Sequence, residues 1–547
     1  MQEIKTKSEL NELVQKLKAE PNNEQLHQQA MEFLKNLEKE PSPIFDSYDE
    51  DFSDLLESLL KGGFIVSREV NFLAFRQLKL KYKEKEIEAS NLEYLEKDSL
   101  LLLTLKKSIN VDLEFESFLT QLRHQLLLKF LKNPEGANDI LNLTAAMAEQ
   151  CFNNEYIFDE TVDEINEIEK LESLIPELTD IYSLLVFGMY KPLYKEQSLT
   201  NRNPATIMNV PGWGLFPTKI LDNNELNETL KKLLYEPLEE QRLKEEIKSF
   251  GSISCETSLA VRSQYEENPY PRWVELNTEK RSSLDKDIKK KIADFTRPEK
   301  FYHEQLQILV AGSGTGQHPI QTAIRNPDAN IIAVDLSLAS LAYGKRMAKK
   351  YGVTNIEFLQ GDILDIPTLN RKFHHIECVG VIHHMKDQRK AWETLESLLL
   401  PGGTIYIGIY SKVARMQVTF MRNKISNLNI KKTPEEMKIF RKKLLNDPEY
   451  KNILKLVGRG DFFSMSMFRD FLFHASEYQY SLSEIECLIK DLDLNFIFFK
   501  LRGAMDKRYQ QFFPEDINMT SFESWKKFEV HYASTCTMFS FLLQKPF

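Results

Sequence analysis

The sequence predicts an α/β protein: a mostly parallel sheet in the C-terminal half, behind an all-helical N-terminal half. Three observations predict it. An apolar run from Ile308 to Ala311 meets glycines at alternate positions, Gly312, Gly314 and Gly316. Four more short apolar segments follow, 330–335, 356–362, 375–380 and 404–410, spaced by helix-length stretches and ending mostly in acids or glycines. Before residue 196, apolar residues recur at helical rather than alternating spacing.

Residues 1–135 read as an N-terminal helical region. Leu10, Leu13 and Leu17 form one stripe, and Leu26, Ala30 and Leu34 form the next after the Pro21 turn. Phe52, Leu55, Leu56, Leu59 and Leu60 continue the pattern, as do Phe118, Leu122, Leu126, Leu127 and Phe130. No clear 34-residue recurrence supports a repeat array. Residues 136–260 read as a middle helical region. It holds an acidic stretch from Asp159 to Glu172, expected as a solvated face. It also holds a turn-rich loop at 197–217 and a charged amphipathic helix pair at 223–250. Residues 261–299 form an aromatic and proline-rich linker, in which a short helix ends at Asn268 because Pro269 and Pro271 cannot continue it.

Residues 300–410 carry the chemistry. The glycines permit positive φ and leave no Cβ, so the backbone can approach a ligand. A helix expected from about Gln317 would aim its free N–H groups at the same spot. Asp335 ends the second strand roughly 20 residues on, where an acid can accept from ribose hydroxyls. Gly361-Asp362 ends the third strand, Gly380 the fourth, and Leu400-Pro-Gly-Gly403 precedes the fifth. The dinucleotide fingerprint is not met, because Gln317 stands where its third glycine would be.

The order Gly-x-Gly-x-Gly, Asp335, Gly361-Asp362, Val381-Ile-His-His384, Leu400-Pro-Gly-Gly403 resembles the class I S-adenosylmethionine-dependent methyltransferases. The resemblance implies a Rossmann-like seven-stranded core closed by two antiparallel strands at the C-terminus. It implies S-adenosylmethionine as cofactor, with Gly312, Ser313, Gly314 and Gly316 along the methionine and ribose. Asp335 would bind the ribose and Leu336 the adenine face. Asp362, after Gly361 in the same site, would accept from the adenine amino group, with Ile363 as an apolar face and Gly380 beneath the methyl. One departure is Val310, where many members carry an acid.

The stretch Gln264-Tyr-Glu-Glu-Asn-Pro-Tyr-Pro-Arg-Trp273, with Asn154-Glu-Tyr156 upstream, is similar to a signature of a bacterial methyltransferase subgroup. There it implies a lid, with Tyr270 against the sulfonium and Arg272 on the methionine carboxylate; the alternative is a linker that packs its aromatics. Overall the chain resembles the rickettsial-type lysine methyltransferases that modify an outer-membrane protein. That implies a protein substrate bearing lysines and a homodimer formed through helical regions. For methyl transfer to an amine, His383 (beside His384), Tyr410 and Glu377 are the catalytic candidates; His383 could serve as a base or as a structural helix-start residue. The nucleobase amino-methyltransferase motif Asn/Asp-Pro-Pro-Tyr/Phe is absent after the fourth strand.

Residues 411–480 read as a helical insertion, and 481–547 complete the sheet around a second insertion at 505–533. Net charge is −10, which does not favour nucleic acid. The five cysteines are far apart and offer neither a disulfide framework nor a metal spacing. The start has no apolar signal core, and no run reaches the roughly 18 residues of a membrane span. A cytoplasmic protein acting without membrane or metal is expected. Two other readings stay open: a methyltransferase for a small molecule or RNA, and a helical scaffold with a vestigial cofactor site.

Overall fold

A computed structural model describes residues 2–37, 47–62, 68–83, 87–134, 138–174, 181–196, 224–276, 284–292, 294–450, 460–500, 505–532 and 537–547. The expected loop at 197–217 lies outside the described residues. The chain divides into two compact units. One comprises Met1–Leu238, Trp273–Glu279 and Thr433–Phe468; the other comprises Glu239–Arg272, Lys280–Lys432 and Arg469–Phe547.

The first unit is helical. Helix Glu50–Gly62 buries the stripe Phe52, Leu55, Leu56, Leu59 and Leu60. Asp98 and Asp112 cap helices Ser99–Lys107 and Leu113–Lys132, accepting the N–H groups of Leu101 and Phe115. Helix Leu141–Asn153 is buried almost all round. The acidic stretch is not wholly a solvated face. Glu164 is 1% exposed, lies 3.3 Å from the guanidinium of the fully buried Arg123, and accepts the Tyr190 hydroxyl at 2.7 Å. A buried carboxylate persists only when charge and hydrogen bonds are supplied in this way. Residues 433–468, expected as part of a single insertion, belong to this unit. Arg441 there makes a bidentate pair with Glu116 at 2.8 and 2.7 Å.

The second unit holds one eight-stranded sheet in the order β1-β4-β3-β2-β5-β6-β8-β7. The strands are β1 Lys248–Ser249, β2 Gln307–Ala311, β3 Asn330–Asp335, β4 Ile356–Gln360, β5 Phe373–Val379, β6 Leu399–Tyr410, β7 Asn495–Phe499 and β8 Met538–Gln544. All pairings are parallel except β6 with β8 and β8 with β7. The seven expected strands are present, with β1 added at the edge. The segment expected as a helix pair ends in this two-residue strand, too short to show any periodicity. It is fixed by Ser249 Oγ donating to Gln360 Oε1 at 2.8 Å and Phe250 N–H donating to the Gln360 carbonyl at 3.0 Å.

The central strands are continuous apolar runs because both faces are covered. Leu309, Ala311, Ile332, Ile376, Ile405 and Phe541 join one large core with Trp392. Ile308, Val310 and Ile331 pack on the opposite face with Ala323 of helix Gln317–Arg325. Trp525, Phe528 and Tyr509 from the second insertion enter the large core, so that insertion completes the fold. No helix among the described residues is long and apolar enough to cross a membrane.

Candidate active site

A cavity of about 490 Å³ opens at the carboxyl ends of β2, β3, β4 and β5, where open α/β sheets bind ligands. Its wall includes Gly312, Ser313, Gly314, Asp335, Leu336, Gly361, Asp362, Ile363, Gly380, Tyr270 and Tyr410. The fold thus brings together eleven residues that were singled out in the sequence. Four others, Gly316, Arg272, His383 and Glu377, do not line it.

The glycine loop is tied to the acid after β3. Asp335 Oδ2 accepts the Gly314 N–H at 2.8 Å, and Oδ1 accepts the Ser337 N–H at 3.0 Å. Burial raises the Asp335 carboxyl above the usual range, while the amides of Ser337, Gly314 and Leu336 pull it down. Asp362 Oδ1 accepts from Leu364 N–H at 3.0 Å and caps the turn after β4; Oδ2 accepts from the Ser258 hydroxyl at 2.7 Å. Each carboxylate has lone pairs left for a ligand. Ser313 Oγ is buried with no protein partner.

The Tyr-Pro turn is docked on the same loop. Thr315 Oγ1 donates to the Pro271 carbonyl at 2.5 Å. A Cβ at Gly314, whose φ is +52°, would stand 2.8 Å from the Tyr270 carbonyl oxygen. Helix Glu256–Glu267, ahead of that turn, adds Ser258, Val261 and Tyr265 to the wall. Ser258 had no signal in the sequence: a lone serine near a helix start is too common to mark a site.

Four candidates stand off the cavity wall. Gly316 sits in the left-handed conformation at φ 83° and precedes helix Gln317–Arg325. A Cβ there would lie 2.5 Å from Gly344 Cα, so this glycine serves close packing with the next helix. Arg272 is not among the residues that line the cavity. His383 is fully buried, with neither ring nitrogen bonded, and packs on Tyr410 with ring centroids 4.0 Å apart. Burial and the neighbouring His384 and Arg415 hold its pKa well below the usual range, so it stays a neutral support for Tyr410. Glu377 is buried inside β5 and accepts from Thr322 Oγ1 at 2.7 Å. It pairs in register with Val310, so an acid occupies the strand next to the position where the expected one is missing. Burial acts to raise its pKa, but His318 and His375 hold it well below the ordinary range. Its Oε2 lies 3.2 Å from Nε2 of His318, which does line the cavity.

One part of the cavity wall is aromatic and charged. Tyr265, Tyr270, Tyr410, His384 and Asp470 meet there. Tyr265 donates its hydroxyl proton to Asp470 Oδ1 at 2.8 Å and lies 3.0 Å from His474 Nε2. Burial lowers the His384 pKa to about 4, although its Nδ1–H bond to the Ser476 carbonyl acts upward. Asp470 escaped the sequence reading because the stretch around it, 462–473, reads as an apolar helix.

Residues 302–457 match the family model described as a methyltransferase domain. The chain is 37% identical over 123 residues to the uncharacterized protein syc1184_c of a Synechococcus strain, across 22% of this chain and 30% of that protein. It is 29% identical over 103 residues to a demethylmenaquinone methyltransferase of Paenarthrobacter aurescens, across 19% of this chain and 37% of that enzyme. Among solved structures, PKMT2 from Rickettsia typhi in complex with AdoHcy is similar at 20% identity and a TM-score of 0.35, covering 47% of this chain and 51% of that one. The chain spans between about a third and about half of the length of the first curated relatives it matches. Residues 302–457 thus carry a methyltransferase domain, and the cavity suits S-adenosylmethionine: two carboxylates at strand ends, apolar Leu336 and Ile363, an unsatisfied Ser313 hydroxyl, and a glycine loop with no room for side chains.

Proposed function

We propose, from the premise that this is a class I methyltransferase domain, that the chain transfers methyl groups to lysine side chains of a protein substrate. The observation that carries the transfer is the convergence of the glycine loop, Asp335 and Asp362 on one cavity whose wall also carries Tyr265, Tyr270 and Tyr410. S-adenosylmethionine supplies a methyl group already activated on a sulfonium, so the protein contributes binding, orientation and exclusion of water. Asp335 would hold the ribose and Asp362 the adenine. The docked Tyr270-Pro271 turn shields the cavity beside the glycine loop. Tyr265, Tyr270 and Tyr410 provide ring faces and edges suited to a cation at the acceptor end. A lysine must lose its proton before it attacks; the apolar wall and the sulfonium of the bound cofactor would lower its pKa.

The resemblance to outer-membrane-protein methyltransferases supports protein lysine over a nucleobase, as does the missing Asn/Asp-Pro-Pro motif. We further propose that the protein works in the cytoplasm as a homodimer joined through helical regions, without nucleic acid or membrane. Two-fold pairing is the commonest assembly of soluble chains. The test is incubation with labelled cofactor and a lysine-rich outer-membrane protein, followed by peptide mass spectrometry. Methyl groups on lysine are expected; label that appears only on RNA or on a small molecule would replace this reading.

A further inference from the structure

We propose that Asp470 anchors the acceptor as a cation: its free carboxylate oxygen binds the ammonium form of an amine at the tyrosine-lined end of the cavity. This assignment rests on that cavity being the methyl-transfer site, and it makes the acceptor class a cationic amine rather than a neutral carbon or hydroxyl.

Asp470 is 5% exposed yet lines the cavity. Its Oδ1 receives the Tyr265 hydroxyl, and among the described residues no protein donor is bonded to Oδ2. The two nearby guanidiniums are spent elsewhere. Arg415 grips Glu477 at 2.6 and 3.1 Å. Arg422 lies 2.9 Å from Glu477 and donates to the main-chain carbonyls of Asp470 and Phe471 at 2.9 and 2.8 Å. A buried carboxylate left with neutral partners invites a cation from outside the protein. Burial raises its pKa to about 6, with Tyr265, Arg422 and Arg415 acting downward and Glu477 upward.

The bound cation is not a metal ion. His384, Asp470 and His474 do bring ligand atoms within 4.8 Å of one another. His474 Nδ1, however, accepts the Ser476 N–H at 3.1 Å. In the neutral ring the proton is then on Nε2, which donates to the Tyr265 oxygen and has no lone pair for a metal. The chain His474 Nε2–H to Tyr265 O–H to Asp470 Oδ1 instead fixes the carboxylate and leaves Oδ2 for the ligand. An ammonium matches what remains: one carboxylate oxygen, the Tyr265, Tyr270 and Tyr410 rings, and the Nε2 lone pair of His384.

The probes are n-butylammonium and its neutral counterpart n-butanol, titrated into the full chain saturated with S-adenosylhomocysteine at pH 8 and followed by saturation-transfer NMR. The ammonium is expected to bind at least tenfold more tightly than the alcohol. In Asp470→Asn the ammonium should lose at least tenfold, while S-adenosylhomocysteine affinity stays within twofold. Equal binding of both probes, or an Asp470→Asn variant that keeps the ammonium, overturns the assignment and leaves the methyltransferase reading standing. Failure of S-adenosylhomocysteine to bind the wild type removes both. A measurement on the wild type alone covers a variant that does not fold: calorimetry in buffers of different ionisation enthalpy. With half of Asp470 protonated at a pKa of about 6, ammonium binding should release about half a proton at pH 6 and almost none at pH 8. No release at pH 6 contradicts the proposal.

Discussion

Asp470 holds a charge that its surroundings disfavour, and the pH dependence of stability should show it. Its folded pKa is raised from 3.8 to about 6. The protonated form is therefore the one that favours folding. That contribution is fully present below the unfolded value and is lost as pH rises through about 6, on the order of 2–3 kcal/mol for a buried group. The groups facing it are Tyr265, His384, His474, Tyr410, Arg415, Arg422 and Glu477. Chemical denaturation of wild type and Asp470→Asn should give similar stabilities near pH 4. The variant should become more stable than the wild type as pH passes 6; a difference constant in pH would mean the carboxyl titrates normally. At this scale the sequence was legible only where residues sit in a motif. Asp335 and Asp362 follow strands at fixed offsets and could be placed. Asp470 and Ser258 are brought to the cavity by helices from distant parts of the chain, so no spacing betrays them. His383 and Glu377 look like acid–base residues in the sequence, but their rings and oxygens are taken by packing and by His318.

Among elements, the first crossover after β2 depends on a contact between two glycines. Gly316 opens helix Gln317–Arg325 at φ 83°, and its missing Cβ makes room for Gly344 of helix Leu338–Lys350. Gly316→Ala should cost about 1–2 kcal/mol for a left-handed alanine and about 1–3 kcal/mol more for the overlap with Gly344. Urea unfolding checks this, and a loss under 1 kcal/mol would show that the helices separate freely. Strands β2 to β6 were readable because burial on both faces leaves plain apolar runs between turn residues. The two-residue β1 was not, since its pairing is set by Gln360 and not by any pattern of its own.

Across the whole chain, the N-terminal helices and residues 433–468 form one unit, and the sheet with its two remaining insertions forms the other. The sequence shows helices in 411–480 but not which unit claims them, because apolar stripes do not name their partners. The buried Arg441–Glu116 pair does. Arg441→Met leaves Glu116 uncompensated and should destabilise that unit by about 3–5 kcal/mol. Hydrogen exchange would report it as faster exchange along helix Leu113–Lys132, and unchanged protection there would show that the pair is dispensable.

The proposed S-adenosylmethionine site is built by the glycine loop, Asp335 and Asp362. Calorimetric titration of S-adenosylhomocysteine into the wild type and Asp335→Ala tests it most directly. Saturable one-to-one binding, weakened by about 1–3 kcal/mol in the variant, is predicted. No binding to the wild type, or equal affinity in both, would contradict it.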